Sequence, residues 1–254
     1  MPGDERPRPA QRAVSDPALG EDERVLARLR AGELEPLAPL PRSSNATYLV
    51  RVHGEGEPLL AVYKPRAGET PLWDFPEGTL CLREVAAYVV ARALGWPRVP
   101  PTVLRDGPYG EGSVQAFHRS DPEHHYLTMR EERPDDFRRV ALFDVVANNA
   151  DRKSGHCLVD ERGRLFVVDH GVCFHVEPKL RTVIWDFVGE PIPPPMREDL
   201  ERLAEDLAGP LRAELAPLLS PAEIRALERR LADLLAGGVF PEPGPGRPYP
   251  WPIV

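Results

Sequence analysis

Lysine is nearly absent from this chain. Of the 32 basic residues among 254, only Lys64, Lys153 and Lys179 are lysine, and the rest are arginine. A GC-rich genome writes such a bias, so the arginines carry no message, but each surviving lysine stands out. Cysteine is scarce too. Cys81, Cys157 and Cys173 are an odd number and too few for a disulfide scaffold. No apolar run approaches the ~20 residues that cross a bilayer, and residues 1–22 lack the apolar core of a signal peptide. Excess positive charge is also missing. A net charge of −8 argues against broad nucleic-acid binding. These absences together lead us to expect a soluble, cytoplasmic protein with no transmembrane segment.

Proline is abundant, at 31 residues, and unevenly spread. Seven prolines fall in residues 1–41 and six between Pro241 and Pro252, whereas the 43 residues from Asp135 to Glu177 contain none. Residues 1–22, polar and Pro-rich, read as a disordered tail. Residues 241–254 read as an extended Pro-rich tail whose Tyr249, Trp251 and Ile253 either dock on the body or stay free.

Between the tails, the first half reads as strands: Glu33–Leu40, Thr47–His53, Leu59–Lys64, Val99–Leu104 and Gly112–Phe117. One helix interrupts them at Leu80–Leu94, stopped by Gly95 and Pro97. The second half is helical, at Asp135–Ala147, Arg197–Leu207 and Pro221–Leu235, the last opened by a Ser220–Glu223 capping box. A small hairpin, Cys157–Val159 with Leu165–Val168, lies between. Strand-rich residues 23–119 followed by helix-rich residues 120–240 make an α+β pattern in two lobes.

Lys64 ends an apolar strand, where a lysine either snorkels from an edge or is paired inside. Glu84 lies on the following helix, on the face shared by Leu80, Tyr88 and Ala91. It is either solvated or the partner such a lysine needs. Asp151, in Asn148-Asn149-Ala150-Asp151-Arg152-Lys153-Ser154-Gly155-His156, leaves an apolar helix for a loop, with Lys153 two residues on. Asp169 ends the strand Phe166-Val167-Val168 and precedes His170-Gly171. Either aspartate alone suits a turn or a cap. Together, 18 residues apart, they form a pair of carboxylates suited to a hard cation on phosphates.

The wording Ala-Asp-Arg-Lys-Ser-Gly-His, then Val-Asp-His-Gly-Val-Cys-Phe, resembles the protein-kinase-like catalytic signature. It looks most like the phosphatidylinositol 3- and 4-kinase branch and an actinobacterial family related to it. The resemblance implies a two-lobed protein-kinase-like fold with a nucleotide-binding N-lobe. It implies that ATP is the phosphoryl donor, with Mg²⁺ or Mn²⁺ as cofactor and a hydroxyl-bearing acceptor that is a lipid, a protein or a small molecule. Asp151 then takes the place of the catalytic aspartate, Lys153 that of a catalytic-loop lysine, and Asp169 that of the metal-holding aspartate. Lys64 and Glu84 match the phosphate-gripping pair. Ser43, Ser44 and Asn45 stand where the phosphate-covering loop belongs, without its glycine pattern. Gln115, Ala116 and Phe117 stand at the adenine-holding hinge. One position departs: the second metal ligand is His156 in place of asparagine. Neutral imidazole binds Mn²⁺ or Zn²⁺ better than Mg²⁺.

The leading expectation is an ATP-dependent phosphotransferase. Two alternatives stay open: a nucleotide-binding pseudokinase with a regulatory or scaffold role, for which a partner protein is an open option, and a metal-dependent phosphohydrolase using Asp151, His156, Asp169 and His170.

Overall fold

A computed structural model of the chain describes residues 17–41 and 43–254. The expected tail of residues 1–22 lies, up to residue 16, outside the described residues, and residues 17–22 open a helix, α1 (Pro17–Ala31). That helix was not expected. Its apolar content is low, and among its described side chains Leu26 and Leu29 form a narrow buried seam.

Five strands follow in one antiparallel sheet: β1 (Glu33–Pro39), β2 (Tyr48–His53), β3 (Leu59–Pro65), β4 (Thr102–Gly107) and β5 (Gly110–Ala116), in spatial order β1-β2-β3-β5-β4. The strand expected at Val99–Leu104 starts three residues later. Pro100 and Pro101 have no N–H to give a ladder, so β4 pairs with β5 only from Thr102. Gly112, paired with Pro65, lets β5 approach β3 closely. A Cβ there would meet the Lys64 carbonyl oxygen at 2.4 Å.

Helix α2 (Leu80–Leu94) spans the sequence-derived range and ends at Gly95, in the left-handed conformation at φ 87°. It is buried along most of its length because it packs on the sheet and on later helices. The second part contains α3 (Tyr126–Met129), α4 (Pro134–Ala147), the hairpin of β6 (Cys157–Val159) and β7 (Leu165–Val167), and then α5 (Pro194–Leu207), α6 (Pro210–Leu215) and α7 (Pro221–Gly237). The capping box of α7 is formed, with Ser220 accepting from the Glu223 amide. Strand-rich and helix-rich parts thus make a two-lobed α+β fold, with β6 and β7 between them. Among the described residues no helix is long and apolar enough to cross a membrane.

The C-terminal segment docks through its backbone. The Pro248 carbonyl accepts from the Thr182 amide at 3.0 Å and from the Trp185 indole at 3.3 Å, and the Ile253 carbonyl accepts from Ser154 at 2.8 Å. The side chains of Tyr249, Trp251 and Ile253 stay exposed, so of the two alternatives the segment docks, through backbone carbonyls and not through these side chains.

Candidate active site

Strand β3 delivers Lys64 to the floor of the cleft, and α2 brings Glu84 to meet it. The Lys64 ammonium donates to Glu84 Oε1 and, at 2.8 Å, to Asp169 Oδ1. Burial alone would push the lysine pKa down. The two carboxylates outweigh it and hold the ammonium charged, with its pKa raised. The other Glu84 oxygen accepts the His170 amide at 3.0 Å. One carboxylate therefore ties the β3 lysine to the backbone beside Asp169.

Asp169 adopts φ 63°, a left-handed conformation that turns the chain sharply after β7. The Lys64 charge holds its carboxyl far below the usual range, against the opposing effect of burial. Its second oxygen lies 3.3 Å from His156 Nε2. Burial pushes the His156 pKa down to about 4, so the ring is neutral near pH 7. Asp151 pairs with Lys153 at 2.9 Å. Burial raises the Asp151 pKa, partly offset by Lys153. Asp151, His156 and Asp169 each offer one ligand atom, and these atoms lie within 4.8 Å of one another. Two carboxylates and a neutral imidazole fit a divalent ion, Mn²⁺ better than Mg²⁺.

Beside this cluster lies a cavity of about 260 Å³ lined by Ser43, Lys64, Gln115, Ala116, Phe117 and Asp169, together with Thr47, Val62, His118 and Val168. Three of the expected residues are used otherwise. The Asn45 side chain accepts from the Thr70 amide at 2.7 Å, and the Ser44 carbonyl accepts from the Thr70 hydroxyl at 2.7 Å. Both residues brace the loop, and neither lines the cavity. Gln115 donates to Thr102 at 2.8 Å. The amides of Ala116 and Phe117 already bond to Pro101 and Leu60 carbonyls, at 2.9 and 3.0 Å. The next residue, His118, also lines the cavity and stacks on Phe166 at 3.8 Å.

Sequence reasoning passed over the scaffold under the loop. Asp144 sits on α4 with no exposed surface. It accepts from Arg152 through both oxygens at 2.9–3.1 Å, from Asn149 at 3.0 Å and from Thr182 at 3.3 Å. Arg152 also donates to the Val168 carbonyl at 3.0 Å and meets His170 Nε2 at 2.7 Å. A buried guanidinium thus joins α4, the Asp151 loop and the strand that ends in Asp169. The available signal was a lone carboxylate in the apolar run Leu142-Phe143-Asp144-Val145-Val146.

Asn148 holds the segment that follows Asp169. It donates to the His175 and Glu177 carbonyls at 2.9 and 2.7 Å and accepts from the Lys179 amide at 2.8 Å. Lys179, silent in the sequence, pairs with Asp74 at 3.0 Å and ties the β3–α2 connection to that same segment. His170 is fully buried, packed against Arg152 and Phe143.

Strand sheet, helical part and intervening cleft define the class: this is a kinase-like fold. The structure of CtkA, a proinflammatory kinase of Helicobacter pylori, matches it with a TM-score of 0.51 over 84% of this chain and 94% of its own, at 12% identity. The Golgi casein kinase, solved also with Mn/ADP bound, gives TM-scores of 0.48 and 0.49 at 17% and 16% identity, covering 85% and 87% of this chain and 74% and 76% of its own. The chain belongs to the family of Protein Rv2133c of Mycobacterium tuberculosis (strain ATCC 25618 / H37Rv), with which it is 40% identical over 92% of its own length and 96% of that protein's. It is also similar to phosphatidylinositol 4-kinase gamma 4 of Oryza sativa subsp. japonica, at 27% identity over 51% of this chain. It spans only 29% of the rice protein's length. No family model matches the chain.

Proposed function

We propose that the chain is an ATP-dependent phosphotransferase that moves the γ-phosphoryl group to a hydroxyl. The observation that carries this reading is Lys64, held charged between Glu84 and Asp169 at the edge of the cavity. A fixed ammonium beside an acidic metal-type cluster is what a bound polyphosphate needs. The base lies between Val62 and Leu158, with the His118 segment as hinge. Lys64 grips the phosphates, and Ser43 offers its hydroxyl above them. Asp169 and His156 would hold Mg²⁺ or Mn²⁺, which when bound neutralises phosphate-oxygen charge. Asp151 takes the proton of the acceptor hydroxyl as its oxygen bonds to the γ-phosphorus. The bond to the bridging oxygen breaks, and ADP leaves with that electron pair. Burial, by raising the Asp151 pKa, makes it a better base. Lys153, paired with Asp151, supplies positive charge to the transferring group.

Likeness to the rice lipid kinase supports a tie to the phosphatidylinositol kinase branch. The acceptor is a lipid headgroup, a protein side chain or a soluble alcohol. Labelled ATP offered with Mn²⁺ and each acceptor class in turn tests the reading. Label should reach one class with wild type and none with Lys64→Met or Asp169→Asn. Absence of labelled product and of nucleotide binding in wild type overturns it.

His156 favours a second reading. In this reading the Lys153 amide, 3.4 Å from Nδ1, keeps the ring proton on Nε2, facing Asp169. A ring so held donates to Asp169 and leaves the metal fewer ligands. That favours a nucleotide-binding pseudokinase. Nucleotide binding without turnover, unchanged by Asp151→Asn, is its signature.

A further inference from the structure

A second cavity, of about 650 Å³, lies where the end of α2, the Trp96–Val99 segment, the start of α4 and β7 meet. It shares no lining residue with the nucleotide cavity. Its size is ordinary for a small-molecule site. Its lining is not ordinary for a chain of net charge −8: six arginines, Arg92, Arg98, Arg133, Arg139, Arg164 and Arg202, face two carboxylates, Asp22 and Asp136.

The arginines differ in how well they are neutralised. Arg92, Arg164 and Arg202 pair with Glu214, Asp160 and Asp199. Those pairs fix three guanidinium groups around the rim. Asp136 serves two arginines, Arg133 at 2.8 Å and Arg139 at only 3.7 Å. Arg98 lies near Asp22, whose carboxyl pKa burial raises and the Arg98 charge partly lowers, without a direct salt bridge among the described residues. Arg98 and Arg139 are therefore the two most loosely paired guanidinium groups in the concavity.

Tyr88 adds an independent observation. It lines the cavity, the residue is only 3% exposed, and its hydroxyl has no hydrogen-bond partner. An unmade hydrogen bond on a buried hydroxyl costs free energy unless something fills it. Burial pushes its pKa up to about 12, so the hydroxyl stays a donor.

We propose that this cavity binds a small anion carrying two or more phosphate groups, held by Arg98, Arg139 and the Tyr88 hydroxyl. Phosphate offers three acceptor oxygens in a tetrahedral array, so it takes a guanidinium fork and a hydroxyl together. A carboxylate carries only one charge, on two coplanar oxygens, and neutralises less of an arginine cluster than a phosphate does. Two phosphate groups match the two loosely paired guanidinium groups. The Arg98 carbonyl also accepts the Val167 amide at 2.9 Å, two residues before Asp169. A ligand on Arg98 therefore bears directly on the strand that presents Asp169.

Calorimetric titration of the full chain with inorganic pyrophosphate, in chelator so that no metal supports the nucleotide site, tests the proposal. Wild type and Lys64→Met should bind alike. Arg98→Ala with Arg139→Ala should weaken binding by at least about tenfold, and Tyr88→Phe by a smaller factor. Melting of each unliganded variant shows that it is folded. Arg98→Gln, an exposed change, replaces the double variant if that one melts early. No binding at millimolar pyrophosphate overturns the proposal, as does binding lost in Lys64→Met or kept in the arginine variants. Citrate binding as tightly as pyrophosphate overturns the phosphate assignment.

Discussion

Arg83 on α2 donates to Glu223 on α7, 140 residues along the chain, in an ion pair almost wholly shielded from water. Arg83 also donates to the Cys173 carbonyl at 2.7 Å and lies over the Phe75 ring at 4.8 Å. Its neighbour in sequence is Glu84, the partner of Lys64. The helix that presents Glu84 is thus fastened to the helical lobe rather than free to swing.

Removing one partner of such a pair leaves a buried charge alone. Glu223→Ala should lower unfolding free energy by about 3–5 kcal/mol, read by urea denaturation. Arg83→Met with Glu223→Leu should recover most of that, because it removes both charges. An equal loss in the double variant would show that the ion pair is not the source.

The same pair sets a pH dependence. Burial raises the Glu223 pKa, but the Arg83 charge and hydrogen bonds from Arg83 and Ser220 outweigh it and leave it depressed. A depressed carboxyl stabilises the fold above its unfolded value, near 4.5. That stability fades as pH falls through the lower folded value. The gap in urea midpoint between wild type and Glu223→Gln should be full near neutrality and close progressively below roughly pH 4. A gap that does not change with pH would contradict this assignment.

Much of this architecture could be read from local signals. Gly95 and Pro97 mark the end of α2 because a left-handed residue and a missing N–H both stop a helix. Ser220 and Glu223 mark the start of α7 because they satisfy its first amides. Signals failed where local chemistry was weak or partners were distant. α1 shows a narrow apolar seam, and α6 has only six residues between Gly209 and Ala216. Lys64, Glu84, Asp151 and Asp169 stood out from their places in the chain and His156 through the family resemblance, and the five lie together in the structure. Asp144 with Arg152, Asn148 with the Lys179 segment, and Arg83 with Glu223 were not. Each is a pairing set by packing, and nothing in a linear sequence says which arginine a buried carboxylate will find.

Lys64 is a compact charge between two carboxylates, and a planar guanidinium does not fit that role. On the proposed function ATP with Mn²⁺ should raise the melting temperature, and Lys64→Met and Lys64→Arg should both abolish that rise. Full stabilisation in Lys64→Arg would mean that charge alone, without geometry, serves the site.

Asp151 is assigned to the proton and not to holding nucleotide. Asp151→Asn keeps its size and its link to the loop, so nucleotide-dependent stabilisation should survive while turnover falls by about 10²–10⁴. Turnover that survives unchanged would remove Asp151 from the chemistry.

On the proposed function, His156 sets the choice of metal. Its ring is neutral because burial pushes its pKa down to about 4, and its Nε2 lies 3.3 Å from Asp169. A neutral imidazole suits Mn²⁺ better than Mg²⁺, whereas an amide oxygen is a harder ligand that suits Mg²⁺. His156→Asn should therefore shift the ratio of Mn²⁺ to Mg²⁺ affinity, measured with ATP present, toward Mg²⁺ by about tenfold. His156→Ala separates ligand loss from ligand exchange: it should weaken both metals without restoring Mg²⁺. A ratio unchanged in His156→Asn would show that the ring only positions Asp169. The defect should then appear instead as weaker binding of both metals alike.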